Sequence, residues 1–348
     1  MTVQVLDDYY LLITFLITLG WQVLGFAIAY GLQTDTITDF WSAVNAVILA
    51  IFTLTAGGTY HARNVVASVF VIVWAARLGG FQLFRMIKMG GDARFDEMRS
   101  KPLKLAGFWT FQLVWIWTIT MPVTLLNSPN SSSPIKGGGN VGFGNGKDGV
   151  GIVLFALGWL CEALADVQKY RFKSVTRPPR GAITDAGLWR YSRRPNYFGE
   201  ILVWWGVYVL ALGNTAAAND GARRALYASV VSPLITMALL LGLSGIPLAE
   251  KPSQQKYFLM SHGPDGGKSL EPFGQQRESD PWTRMKAYRD RTSLLVPLPN
   301  AVYRRIPKAI KSTILCDFPF YNFDEAKDGP AAIREAEDKK RKQSDDRA

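Results

Sequence analysis

The stretch YYLLITFLITLGWQVLGFAIAYG, Tyr9 to Gly31, contains no charged residue. An α-helix rises 1.5 Å per residue, so a run of this length reaches across the ~30 Å hydrocarbon core of a bilayer. Working outward, six more apolar stretches follow at about Phe40–Ala56, Val65–Ile87, Leu105–Leu126, Val150–Val167, Phe198–Gly213 and Leu226–Ile246. Gly, Pro or charged residues punctuate the gaps. The second and sixth of the seven are short for a full crossing. The pattern predicts an all-α integral membrane protein with about seven transmembrane helices in a lipid bilayer. A length of 348 residues would also suit two soluble domains, but the placement of the apolar residues excludes them. The mean hydropathy of only +0.06 averages a membrane body with a polar C-terminal region.

Charge orients the spans. The loop from Arg85 to Lys104 carries six Lys/Arg, the loop from Lys169 to Arg194 eight, and the tail after Pro247 nineteen. The opposite side holds five: Arg63, Lys136, Lys147, Arg223 and Arg224. Lys/Arg excess marks the cytosolic side, which puts the C-terminus in the cytosol and the N-terminus outside it. Residues 1–8 contain Asp7 and Asp8 and no basic residue, the wrong pattern for a cleaved signal, so the first span is expected to be retained. A net charge of +11 could suggest nucleic acid, but its placement fits a cytosolic membrane face and an anionic ligand there. Two cysteines and two histidines, far apart, offer neither a disulfide framework nor a metal centre.

Two motifs are set aside. Gly144-Asn145-Gly146-Lys147-Asp148-Gly149 matches the dinucleotide fingerprint literally, but a glycine-rich loop precedes it and an apolar span follows, where a strand and a βαβ unit are required. Asn130-Ser131-Ser132 matches an N-glycosylation acceptor, and reads best as a chance tripeptide in a Ser/Asn/Gly-rich loop on the lumenal side.

The segment from Trp159 to Glu200, WLCEALADVQKYRFKSVTRPPRGAITDAGLWRYSRRPNYFGE, carries the chemistry. Glu162 and Asp166 share one face of the fifth span, and Lys169 and Lys173 continue that ladder. Intramembrane carboxylates are costly and point to function. Pro178-Pro179 ends the helix. Pro195 then opens a new one, whose N-terminus offers free N–H groups and positive dipole to an anion. Arg193 and Arg194 add guanidinium forks suited to phosphate. Asn196, Tyr197 and Glu200 set amide, phenol and carboxylate beside them, a combination that can hold a polar cofactor bearing phosphates.

Ser192-Arg193-Arg194-Pro195-Asn196-Tyr197-Phe198-Gly199-Glu200, with Ala165-Asp166 and Gln168-Lys169 upstream, resembles the C-terminal domain of the steroid 5-alpha-reductase superfamily. More closely, it resembles a largely uncharacterised branch of multi-spanning membrane proteins within it. Supporting matches are Arg77-Leu78, Gly91-Asp92-Ala93-Arg94-Phe95, Leu243-Ser244-Gly245-Ile246-Pro247 with Glu250, and Tyr288 followed by Arg291-Thr292-Ser293. The resemblance spans roughly residues 40–300. It implies a membrane domain, placed here at 37–320, with a cytosolic-side pocket for NADPH. It also implies reduction of a carbon–carbon double bond in an apolar lipid or sterol-like substrate, and an endoplasmic reticulum location. Residues 1–36 then form the first span and its loop, and 321–348 a polar, disordered tail with some helical content.

Carried over position by position, Asp166, Asn196 and Glu200 match cofactor contacts, with Lys169, Arg193 and Arg194 as nearby basic partners. Arg85 and Lys88 follow from their spacing after Arg77. Tyr191 and Tyr197 fall near the nicotinamide or ribose and are the candidate proton donors. Three departures stand out. Arg194 replaces the histidine common before the proline. Trp74 stands where steroid reductases carry a proton-donating tyrosine. The second span lacks the glutamate that pairs with that tyrosine. Membrane methyltransferases that modify isoprenylcysteine carboxyl groups carry a related Arg-His-Pro-x-Tyr motif and use S-adenosylmethionine, which has no phosphates. Dense cytosolic arginines and Glu200 fit the reductase branch better than that alternative or a non-enzymatic membrane protein.

Loop charge predicts the topology: with 33 loop Lys/Arg on one side and five on the other, a C-terminal tag should be digested by protease added outside sealed cytosol-side-out vesicles. A protected C-terminus would invert the scheme.

Overall fold

Hydrocarbon cannot hydrogen-bond a peptide group, so each apolar stretch must satisfy its N–H and C=O groups within its own helix. The computed structural model obeys this; it describes residues 3–34, 37–89, 101–136, 138–264, 266 and 280–345, among which β pairing is limited to isolated bridges. Gly91-Asp92-Ala93-Arg94-Phe95 lies outside the described residues. The chain is an all-α membrane protein. Five helical stretches are long and apolar enough to cross a bilayer, and a bent pair makes a sixth. The remaining expected span, about Phe198–Gly213, is also helical but reaches only 17 residues. The chain divides into two compact units, Met1–Trp159 with Ile201–Thr236, and Leu160–Glu200 with Met237–Ala348.

The first unit contains α1 (Leu11–Gly31), α2 (Thr38–Gly57), α3 (Ala62–Met89), α4 (Pro102–Ile119), α5 (Met121–Asn127) and α6 (Pro129–Ser132). It also holds the start of α7 (Gly146–Tyr170), most of α8 (Pro195–Ala211), all of α9 (Asp220–Ala228) and the start of α10 (Val231–Ala238). Between α4 and α5 the axis bends by 48°. Pro122 lies in the first turn of α5, where its ring clashes with the preceding turn and supplies no N–H. The face pattern of α1 is that of a lipid-facing helix. It buries Thr14, Thr18, Gln22, Gly25 and Ala29 and exposes Leu12, Leu16, Leu19, Val23 and Leu24. A water-facing helix would do the reverse; against lipid, small and polar residues pack inward and leucines turn outward. On α7, Val150, Val153 and Leu157 continue the same outward stripe.

Small residues also set how closely α7 and α8 cross. A Cβ on Gly151 would stand 2.7 Å from the Leu210 N, and one on Gly206 would stand 2.5 Å from the Phe155 N, so alanine at either position would force the backbones apart. The core of this unit is aromatic. Trp74, fully buried, meets Trp204 edge-on at 4.7 Å, and Phe70 stacks on Phe155 at 3.8 Å.

Several polar side chains inside this unit pair with one another or with the backbone. Asn127 Nδ2 donates to Thr53 Oγ1 and Ser68 Oγ, and Asn64 Nδ2 donates to the Leu126 carbonyl and Ser132 Oγ. Arg63 is fully buried and donates to both oxygens of Asp148, at 2.7 and 2.8 Å. The same guanidinium reaches Asn140 Oδ1 and the carbonyls of Val141 and Gly142, while Asp148 Oδ2 accepts the Gly144 and Asn145 N–H groups. The glycine-rich segment set aside as a dinucleotide site is thus closed on its own aspartate. Likewise Ser131 and Ser132 of the glycosylation pattern are buried in α6.

The second unit is built from the end of α7, the loop to Glu200, and α11 (Ile246–His262), α12 (Pro281–Arg291), α13 (Asn300–Arg305), α14 (Lys308–Thr313) and α15 (Glu325–Asp345). Asp280 caps α12 through the Trp282 and Thr283 N–H groups and accepts from Ser261 Oγ. Burial pushes its carboxyl up, but those bonds more than offset it and hold it down to about 2. The polar tail differs from the disordered segment expected over 321–348. Its residues 325–345 form α15, where Ala332 is buried and Ile333 packs on the cluster of Phe258, Trp282 and Phe323. Trp282 Nε1 donates to Glu325 at 2.9 Å.

Removing one partner of a buried ion pair leaves an uncompensated charge and costs about 3–5 kcal/mol. Arg63→Met alone should therefore lower the midpoint of thermal unfolding in detergent sharply, while Arg63→Met with Asp148→Leu should recover much of the loss. Equal midpoints for the single variant and wild type would show that the pair does not hold the loop.

Candidate functional site

The C-terminal half of α7 carries Glu162, Asp166 and Lys169. The helix then widens into a π-helical turn, Arg171–Thr176, and stops at Arg177, whose φ of 45° is left-handed. The returning loop is sewn back onto α7. Leu188 N donates to Gln168 Oε1 at 2.9 Å, and Trp189 Nε1 donates to the Ala165 carbonyl at 2.9 Å. The fit needs Gly187: its φ is 60°, and a Cβ there would stand 2.5 Å from Gln168 Oε1. Lys169 Nζ lies 4.4 Å from the centroid of the Trp189 ring. Tyr288 OH donates to the Trp189 carbonyl at 2.6 Å; burial, followed by Glu250, raises this phenol above its ordinary value and keeps it a donor.

The next residues form a short parallel bridge between Ser192 and Ser293. Arg193 N donates to the Ser293 carbonyl at 2.8 Å and Arg194 N to the Leu294 carbonyl at 2.9 Å. The bridge fixes where α8 begins, and the Pro195 carbonyl accepts from Cys161 Sγ of α7. One turn of α8 separates Asn196 from Glu200, so the two share a face. Glu200 is buried. Asn196 Oδ1 is buried without a hydrogen-bond partner, an acceptor whose desolvation is uncompensated.

The two arginines are differently employed than a phosphate cradle would have them. Arg193 is buried, its Nη1 pairing with Glu250 and its Nη2 with Asp317 at 2.8 Å. Burial works against its charge, yet the Glu250 and Asp317 carboxylates more than offset this and raise its pKa above the usual arginine value. Arg194 pairs with the second oxygen of Glu250 at 3.1 Å and stands 6.0 Å from the Tyr197 ring centroid. Tyr303 OH donates to Asp317, and burial together with that carboxylate raises the phenol's pKa. Two guanidinium and two carboxylate groups thus neutralise one another within a single buried cluster.

Asp166, Lys169, Tyr191, Arg193, Arg194, Asn196, Tyr197 and Glu200 all belong to the second unit. Tyr197 is half-buried and Tyr191 is exposed, its carbonyl accepting from Leu298 N. Arg85 and Lys88 lie on α3 in the first unit, half-buried and exposed respectively. Sequence reasoning noted Glu250 as part of a motif without assigning it, and missed Asp317 and Tyr303. One signal was available for Asp317: it is the first acidic residue after Asp290, closing a basic stretch.

Neither the curated proteins nor the solved structures contain a match to this chain. Residues 25–260 match the family described as protein of unknown function (DUF1295), which covers α2 through most of α11 and every site residue named above up to Glu250. The chain therefore belongs to the DUF1295 family.

Proposed function

We propose that this membrane protein is an NADPH-dependent oxidoreductase that reduces a carbon–carbon double bond of a lipid or steroid-like substrate, with the cofactor held by the second unit. The observation that carries this reading is the buried, unpartnered Asn196 Oδ1 at the start of α8, on the face it shares with Glu200. An acceptor left bare in a polar wall gains a hydrogen bond when a ligand brings a donor, and a nicotinamide carboxamide or a ribose hydroxyl is such a donor. Asp166 supplies a further acceptor. Lys169 and the N-terminus of α8 supply the positive field that phosphates require. Arg193, locked between Glu250 and Asp317, orients this segment instead of touching the ligand. Relationship of the family to steroid 5-alpha-reductase-like membrane proteins, which the Asn196 motif suggests, supports the same cofactor and an endoplasmic reticulum location.

When bound, NADPH supplies the hydride. This chain must orient the cofactor and deliver a proton. Tyr197 is the better donor of the two candidates, because it is half-buried in the first turn of α8, whose positive dipole would stabilise the phenolate left after transfer. Trp74, in the place of the family's tyrosine, is locked against Trp204 and offers no comparable proton.

Hydrogen bonds involving charged groups contribute about 1.5–3 kcal/mol, so Asn196→Ala and Glu200→Ala should each weaken NADPH binding roughly tenfold or more. Energy transfer from tryptophan to NADPH in the detergent-purified protein reads this directly. Unchanged affinity in both folded variants, or binding of S-adenosylmethionine in place of NADPH, would overturn the assignment.

General acid catalysis contributes about 10²–10⁴-fold. Single-turnover oxidation of bound NADPH by sterol, steroid and fatty enones should slow by about that factor in Tyr197→Phe and change little in Tyr191→Phe. Full-rate reduction in both variants would move the donor elsewhere, and no reduction of any enone by wild type would sink the reductase reading.

A further inference from the structure

Between Asp290 and Asp317 the chain holds five Lys/Arg and no acidic residue. Four of these cations, Arg304, Arg305, Lys308 and Lys311, fall on α13, α14 and the turn that joins them. Large apolar side chains alternate with the cations and point outward: Ile310, Ile314 at 72 % and Phe320 at 63 % exposed. Exposed apolar residues scattered singly are ordinary. Here they are concentrated on one short segment whose packing needs are met by other residues. Tyr303, Leu315 and Tyr321 are buried beneath it.

This segment is also tied to the end of an apolar span. Tyr321 OH donates to the Leu241 carbonyl, and Gln254 Nε2 donates to the Tyr321 carbonyl at 3.5 Å. Leu241 lies in the π-helical turn Leu239–Leu243 of the helical run Asp220–His262, whose uncharged stretch, Ala225 to Ala249, ends at Glu250 and Lys251. Beside it in sequence, Leu243 and Leu248 are exposed leucines of that run. The segment is therefore anchored where hydrocarbon gives way to water.

From this geometry we propose that residues 300–320 form an interfacial anchor that docks on the anionic headgroups of the same bilayer that the apolar helices cross. Ile310, Ile314 and Phe320 enter the headgroup–acyl boundary, and the four cations meet lipid phosphates and carboxylates. Asp317 does not oppose this, because its charge is spent on Arg193 within the fold. The anchor lies beyond the residues that match the family, and does not depend on the cofactor reading.

The test is the depth of a nitroxide in the full-length chain carrying Cys161→Ser, Cys316→Ala and Ile314→Cys. The reference carries the nitroxide at the exposed Ala331 of α15 (Ala331→Cys). Both are reconstituted in phosphatidylcholine bilayers, with and without phosphatidylserine. The label at position 314 should be several-fold less accessible to an aqueous nickel chelate than the reference, and more accessible to oxygen. That shielding should grow with phosphatidylserine and lose its lipid dependence when the four cations are changed to glutamine. Equal nickel accessibility at the two positions, or shielding indifferent to lipid charge, overturns the proposal; the first result would assign the surface to a soluble acidic partner. Should the glutamine variant fail to fold, the lipid comparison with the native cations decides alone.

Discussion

The absence of hydrogen-bonding solvent in a bilayer governs this protein more than any single contact. It forces each apolar stretch into a helix and then sorts the helix faces, since lipid competes with the protein interior for leucine but not for threonine or glycine. That is why α1 buries Thr14, Thr18 and Gln22 and turns its leucines outward. It is also why Gly151 and Gly206 stand where α7 and α8 cross closely in the first unit. With little hydrophobic drive between helices in lipid, dispersion and internal polar bonds must supply cohesion. The Trp74–Trp204 contact and the Asn127 bonds are of that kind.

The same constraint explains how charges are treated. A lone buried charge is expensive, and pairing offsets the cost only when geometry and further hydrogen bonds are good. Arg63 with Asp148 meets this condition through the added carbonyls of the glycine-rich loop. In the second unit, Arg193 and Arg194 meet it with Glu250 and Asp317. Because that cluster is neutral, it sets the position of α8 without spending positive field on a ligand alone. The bare acceptor in this segment is Asn196 Oδ1, at the start of α8. The proposed reductase chemistry would use the buried arginine as a positioning residue and the neighbouring amide and carboxylate as contacts.

Much was determined by sequence alone, wherever the signal was local. Apolar run length gave the membrane class and the helical state of the seven apolar stretches. Pro195 gave the start of α8, because a fixed φ and a missing N–H suit a first helical turn. The shortness of the stretch around Phe198–Gly213 foretold a helix of only 17 residues. Closeness in sequence grouped Asn196, Tyr197 and Glu200 beside the two arginines.

Tertiary structure decided what no period encodes. The partners of Arg193 lie 57 and 124 positions away, and only packing of α11 and the residues after α14 brings Glu250 and Asp317 to it. The tail from residue 321 reads as polar and solvated because its apolar residues are few. It docks all the same, since Ala332 and Ile333 find Phe258 and Glu325 finds Trp282. The division into two units, which separates Arg85 and Lys88 from the other candidate residues, is likewise a property of long-range contacts. Local sequence determines backbone conformation and the solvent each face prefers. Which charges meet inside depends on distances through space, and those exist only once the helices have packed.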